Sequence, residues 1–204
     1  PVDGSRLVST PGRYMMAKRK IVVALGSPRR RGNSATLARQ LVAGAETSGA
    51  EVESFYLQGM DIHTCTACGW CQDEAGRDCN IDDDMRLLYP KLRDADAIVI
   101  AGPIYWFTVS AQTKLFMDRC HALGGPEGNA LAGKQFGILL TYADPDPFVS
   151  GAVNALRAFQ DSFRHIGAEI SGMVYGSASE AGEIAENEDV MRQAYDLGQQ
   201  LAAG

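Results

Sequence analysis

Unbroken apolar runs alternate along the chain with stretches in which apolar residues recur every three or four positions. Ile21–Leu25, Ala97–Ala101 and Phe136–Leu140 are of the first kind, and a strand apolar on both sides belongs in the middle of a sheet covered on both faces. Val52–Tyr56 and Ile170–Tyr175 mix polar with apolar residues and suit the sheet edges. Leu37, Leu41 and Ala45 share one face of a first helix. Val149, Val153, Leu156, Phe159 and Phe163 do so on a longer helix, and Val190, Ala194, Leu197 and Leu201 on the last. Ser110–Leu123 reads as another, with Ser110 as N-cap. Asp82–Asp84 opens a fifth, where carboxylates favour the positive end of the dipole, and Pro90 should kink or split it.

Five strands alternating with five helices predict an α/β fold, a parallel sheet between helical layers. Residues 16–204 read as one domain, carrying a cysteine-rich insertion at 57–81 and a glycine-rich interruption at Gly124–Gly133. Pro1–Met15 lacks periodicity and reads as an N-terminal extension before a natural start at Met16, or else as a segment that packs on a neighbouring subunit. Ligands of open α/β sheets gather at the carboxyl ends of the strands. The segments to search are therefore Gly26–Ser34, Gly102–Ser110 and Thr141–Ser150.

Charge narrows the partners. A net charge of −6 argues against a broad nucleic-acid-binding face, although Lys18–Lys20 and Arg29–Arg31 keep small anions in view. No apolar run approaches the roughly 20 residues a membrane span needs, and the basic N-terminus has no apolar core of a secretory signal. Five cysteines without an export signal fit a reduced, cytoplasmic protein better than a disulfide scaffold.

Gly26-Ser27-Pro28-Arg29-Arg30-Arg31-Gly32-Asn33-Ser34 joins an apolar strand to an amphipathic helix. Small and hydroxylic residues at a helix start, where backbone N–H groups lack partners, suit a phosphate; the alternative is a plain strand-to-helix turn with solvated arginines. The loop is neither a Walker A loop nor GxGxxG, which disfavours ATP and a dinucleotide in Rossmann mode. Tyr105-Trp106-Phe107 after the third strand calls for a planar ligand, a partner subunit, or burial against the core. Thr141–Pro147 adds another aromatic, Tyr142, at the same rim.

With GSPRRRGNSATL at Gly26–Leu37, CTACGWCQDEAGRDCNIDDDM at Cys65–Met85 and GPIYWFTVSAQTKLFMDR at Gly102–Arg119, the chain resembles the NADPH-dependent FMN reductase family, and within it the iron–sulfur flavoproteins. The resemblance implies a flavodoxin-like three-layer sandwich with strand order 2-1-3-4-5. It implies FMN phosphate at Ser27, Arg29, Asn33 and Ser34. It sets the flavin ring against Pro103, Ile104, Tyr105, Trp106 and Phe107, and against Thr141, Tyr142 and Ala143. It also implies a homodimer or homotetramer with the flavin near a subunit interface.

Cys65, Cys68, Cys71 and Cys79 crowd into fifteen residues. Three thiolates at three-residue intervals can wrap a cubane and a fourth can close it, whereas zinc sites more often use two separated C-x2-C pairs. The resemblance supports a [4Fe–4S] cluster; a reduced, metal-free loop is the alternative. Cys71 and Arg77 have the C-x5-R spacing of thiol phosphatases, but Asp73 and Glu74 would repel a phosphate there. Cys120 reads as core, and His63, His121 and His165 as structural or solvated.

The expected function is an FMN-dependent oxidoreductase. It would take electrons from NADPH or NADH and deliver them to a quinone-like or protein acceptor, through the cluster where one is present. The competing readings are an electron carrier without turnover and a flavin-free, zinc-stabilised binding module. No side chain is required as an acid or base, so the sequence singles out no catalytic residue.

Overall fold

A computed structural model describes residues 18–204; the reading of Pro1–Met15 falls outside them. Strands β1 (Lys20–Leu25), β2 (Glu51–Tyr56), β3 (Ala97–Tyr105), β4 (Gln135–Tyr142) and β5 (Glu169–Ser177) are all parallel, in the order 2-1-3-4-5. Helices α1 (Asn33–Thr47) and α5 (Glu188–Ala203) cover one face of the sheet. Helices α2 (Met85–Asp94), α3 (Ala111–Arg119) and α4 (Ala152–Ile166) cover the other. The expected flavodoxin-like sandwich is what forms.

Alternation along β1 explains the unbroken apolar run. Ile21 and Val23 join the core under α1 and α5, with Leu37, Leu41, Leu139 and Leu201. Val22 and Ala24 join the opposite core with Leu88, Phe116, Phe136 and Phe159. Successive side chains point to opposite faces, so a strand buried twice has no solvent side to mark with polar residues. The mixed runs, β2 and β5, are the edges.

Four boundaries differ from the sequence pattern. β3 runs past Ala101 to Tyr105, because β4 extends alongside it and pairs Thr141 with Pro103. It then doubles back through Trp106–Phe107 into Thr108–Val109, a two-residue antiparallel return strand. α4 begins at Ala152 rather than Val149, since Gly151 is left-handed (φ 78°) and Val149 is exposed. α2 begins at Met85, so Asp82–Asp84 precedes it, and it runs on through exposed Pro90 rather than splitting. α3 ends at Arg119 and tightens into a 3₁₀ turn over Cys120–Leu123. Among the described residues no helix is long and apolar enough to cross a membrane.

Candidate functional site

The first and second segments meet at Gly26. Its N–H donates to the Ala101 carbonyl at 2.8 Å, and its own carbonyl accepts from Ser110 Oγ at 2.6 Å. Ser110 Oγ also accepts the Thr113 N–H at 3.3 Å and lies 3.0 Å from Thr113 Oγ1, which makes Ser110 the N-cap of α3 as expected. A Cβ on Gly26 would lie 1.9 Å from Thr113 Oγ1, so glycine is needed for this close approach.

Beyond Gly26 the loop turns tightly. Ser27 Oγ accepts the Arg29 N–H at 3.1 Å, the Gly32 N–H donates to the Arg29 carbonyl at 3.1 Å, and Tyr56 donates its hydroxyl to the Pro28 carbonyl at 2.6 Å. Ser27 and Ser34 are buried within the loop, whereas Arg29 and Arg31 are exposed. Arg30 stacks over the Tyr56 ring at 4.0 Å. Gly32 caps α1, leaving the N–H groups of Asn33, Ser34 and Ala35 without helical acceptors and the dipole's positive end at the loop. The Asn33 side chain is committed elsewhere. It donates to the Ala178 and Glu180 carbonyls (3.2 and 2.8 Å) and accepts from the N–H groups of Gly182 and Ile184 (2.8 and 3.3 Å). It straps α1 to the loop after β5 and leaves its main-chain N–H for an anion.

The aromatics of the second segment do not fold back onto the core. Trp106 is 91% exposed, Phe107 55% and Tyr105 42%, while Pro103 and Ile104 are half-buried. Trp106 (φ 48°) and Phe107 (φ 65°) are both left-handed, a conformation that costs a side-chain-bearing residue about 1–2 kcal/mol. α4 holds the turn in place: Asn154 donates to the Phe107 carbonyl at 3.1 Å, and a Cβ on Gly151 would lie 2.5 Å from Phe107 Cα. In the third segment Thr141 and Tyr142 are buried, and burial raises the Tyr142 hydroxyl above its ordinary value. Ala143 is exposed, its carbonyl accepting from Ser177 and Ser179 at 3.1 and 3.2 Å.

The cysteine loop lies between β2 and α2 and has little regular structure beyond a 3₁₀ turn at Trp70–Gln72. Cys65 and Cys68 are exposed; Cys71 and Cys79 are half-buried against the α2–α4 core. Among the described residues no three Cys, His, Asp or Glu side chains gather at metal-binding distance. The donor set nevertheless suits a soft metal. The Ala67 N–H donates to Cys65 Sγ at 3.4 Å, and the Trp70 N–H, followed by the Thr66 hydroxyl, lowers the Cys68 thiol. Such N–H···S bonds stabilise thiolates and tune cluster potentials. Left-handed Ala67 (φ 54°) and Gly69 (φ 76°) turn the chain twice between Cys65 and Cys71. Arg77 stacks on Trp70 at 4.3 Å and pairs with Glu74, and His63 approaches Asp61 at 3.2 Å. His121 and His165 are exposed.

Both ends of this loop are pinned by Arg119, to which the sequence pattern gave no role, and by Asp83, expected only as a carboxylate at a helix start. Arg119, at the end of α3, donates Nη1 to the His63 carbonyl at 2.7 Å and to Asp83, with Nη2 reaching Asp83 Oδ1 at 3.3 Å. The two side chains are 1% and 0% exposed. Burial alone would raise the Asp83 carboxyl, but Arg119 and the N–H groups of His63 and Met85 outweigh it and hold it below the ordinary carboxylate range. Arg119 follows Phe116 by three residues on the buried face of α3, and that spacing was the available signal.

A cavity of about 950 Å³ lies apart from the phosphate-type loop, none of whose residues line it. It runs between α3, the Gly124–Asn129 ribbon and the end of α4, with Cys65 and Gln72 at one end. Cys120 lines it, its thiol pushed up to about 12 by burial, and packs against the core as expected.

The sequence profile of the NADPH-dependent FMN reductases matches residues 19–183. An iron-sulfur flavoprotein of Archaeoglobus fulgidus is 33% identical over 187 residues, 90% of this chain and 79% of that one. An iron-sulfur flavoprotein of Methanocaldococcus jannaschii is 35% identical over 104 residues, 51% of this chain and 53% of that one. Among solved structures, an NAD(P)H:quinone oxidoreductase from Methanothermobacter marburgensis superposes with a TM-score of 0.72 over 91% of this chain and 98% of that one. At 18% identity that likeness is one of fold.

Proposed function

The chain belongs to the NADPH-dependent FMN reductase family, and from that premise we propose that it passes electrons from a reduced nicotinamide through FMN to a quinone-like or protein acceptor. The observation that carries this reading is the exposed hairpin Tyr105–Phe107 beside a loop of phosphate-binding build. A phosphate site alone suits many ligands; one beside unburied aromatics suits a phosphate joined to a planar ring.

The Ser27 and Ser34 hydroxyls, the N–H groups of Asn33, Ser34 and Ala35, and the Arg29 guanidinium would hold the phosphate. Pro103–Phe107 and Thr141–Ala143 would flank the ring, with Tyr105–Phe107 also facing a partner subunit of a dimer or tetramer. FMN, when bound, accepts hydride and releases electrons singly or in pairs. The protein's part is to orient the ring and shield it from water. Cys65, Cys68, Cys71 and Cys79 would hold a [4Fe–4S] cluster, supported by the Ala67 N–H···Sγ bond at Cys65 and by the likeness to iron-sulfur flavoproteins. Such a cluster would supply one-electron exchange with a protein acceptor.

Anaerobic mixing with NADPH and with NADH tests the reading. Rapid bleaching of the flavin absorbance, followed by reoxidation with a water-soluble benzoquinone, is expected. No bleaching with either nucleotide would favour an electron carrier without turnover.

A further inference from the structure

We infer that Arg119, paired with Asp83, is a positioning residue that latches both ends of the cysteine loop and ties that loop, through α3, to the Gly26 end of the phosphate-type loop. Its consequence for redox chemistry rests on the reading that the loop carries a cluster; the latch itself does not.

The geometry is specific at each end. The Arg119 fork reaches the His63 carbonyl, two residues before Cys65, and Asp83, four residues after Cys79. Asp83 returns the hold by accepting the N–H of His63 at 2.9 Å and that of Met85 at 3.0 Å. Its neighbour Asp84 accepts the Asp61 N–H at 2.8 Å, and the Asp84 N–H donates to the Asp61 carbonyl at 3.0 Å. Three bonds thus cross the neck of the loop between 61–63 and 83–84. Tyr89 closes the arrangement from α2, donating its hydroxyl to the Arg119 carbonyl at 3.1 Å. Between the two necks the chain is mostly exposed, so the fold controls where the loop starts and stops more firmly than the path between.

α3 carries this hold to the other site. Its N-cap Ser110 donates to the Gly26 carbonyl at 2.6 Å, and Arg119 is its last residue. Nine helical residues rise about 13 Å, a rigid strut with the phosphate-type loop at one end and the cysteine loop at the other. A planar fork with two donating nitrogens can bridge a carbonyl and a carboxylate at once; a lysine ammonium occupies one point and cannot reproduce that geometry.

The test uses the full-length, FMN-loaded, iron-free protein, with iodoacetamide labelling of each cysteine followed by mass spectrometry. Arg119→Gln should raise the labelling rates of half-buried Cys71 and Cys79 at least about tenfold, because loss of a buried partner shifts the local opening equilibrium. Arg119→Lys should be intermediate, and exposed Cys65 and Cys68 should change less than about twofold, as expected for thiols already open to solvent. FMN affinity should stay within a small factor. Leu201→Ala, in the core under α5, serves as a control for general loosening, compared at equal distance below each melting temperature. Should Arg119→Gln not fold, Asp83→Asn removes the same pairing with little change of volume. Unchanged Cys71 and Cys79 rates would overturn the latch, as would an equal rise in Leu201→Ala. If the wild type takes up no iron on anaerobic reconstitution, the cluster reading fails while the labelling rates still decide the latch. If it does, a shifted cluster potential in Arg119→Lys at full iron content supports positioning, and an unshifted one overturns the redox consequence.

Discussion

The Ser27–Ser34 loop and the Cys65–Cys79 loop are both irregular, yet one is bonded along its length and the other is held at its ends, with ties between them at Gln72 and Asp78. The first is cross-linked by the Ser27 hydroxyl, by Tyr56 to Pro28 and by Asn33 to the loop after β5. Its polar groups are fixed before any ligand arrives, which suits a site that must recognise a phosphate by geometry. The second gathers no metal-binding group among the described residues and has its sulfurs on a loosely bonded path. Structural metal sites commonly order their own ligands, so binding and local folding there are one event. The contrast predicts that removing metal would leave the phosphate-type loop untouched, while loss of flavin would leave the cysteine loop's ends in place.

The comparison breaks most visibly at Arg119. Arg119→Met leaves the Asp83 carboxylate buried without its partner, and a loss of about 3–5 kcal/mol is expected from chemical denaturation. The pH response should change sign. In the wild type the depressed Asp83 contributes stability that is fully present above about pH 4 and is lost as pH falls through its folded value. In the variant, unpaired burial raises the same carboxyl, so acidification from neutrality to pH 5 should stabilise the protein. Parallel pH profiles for the two proteins would remove the pair from the account.

Gly26→Ala comes next. The new methyl meets Thr113 Oγ1, and an overpacking loss of about 1–3 kcal/mol is expected, with FMN affinity weakened alongside. Gly26→Ala with Thr113→Ala should recover part of the loss, since the hydroxyl that blocks the methyl is gone. A flavin-quenching titration of both, with no recovery in the double variant, would contradict the steric account. Asn33→Ala removes a side chain that makes four bonds to residues 178–184, and about 1–2 kcal/mol of stability should follow it. The FMN dissociation constant should then rise only a few-fold, because the Asn33 N–H remains.

Smallest is Trp106→Gly, where two effects oppose. Relief of the left-handed strain should stabilise the flavin-free protein by about 0.5–1 kcal/mol, while flavin binding weakens for want of the ring. Thermal melting with and without FMN separates the two.

How far the sequence spoke depended on how local the cause was. The apolar run Ile21–Leu25 is legible because a strand buried on both faces has no reason for a polar residue, and Ser110 because an N-cap acts within one turn. The end of β3 was not, because its extension to Tyr105 depends on β4 lying alongside, a contact set by residues far along the chain. The same holds for Asn33, whose partners lie 145 residues or more away, and for Arg119, whose partner is 36 residues earlier. The resemblance implied Asn33 as a phosphate residue; the fold shows its side chain strapping α1 to the loop after β5.

The account turns on a proposed FMN site and a proposed cluster site built in these opposite ways, and one preparation tests both: FMN, iron and acid-labile sulfide measured on anaerobically purified wild type and Cys68→Ser. It predicts one FMN per chain in each, with about four iron and four sulfide per chain in the wild type and a loss of both in the variant. A flavin-free wild type, zinc in place of iron, or iron that survives Cys68→Ser would contradict it.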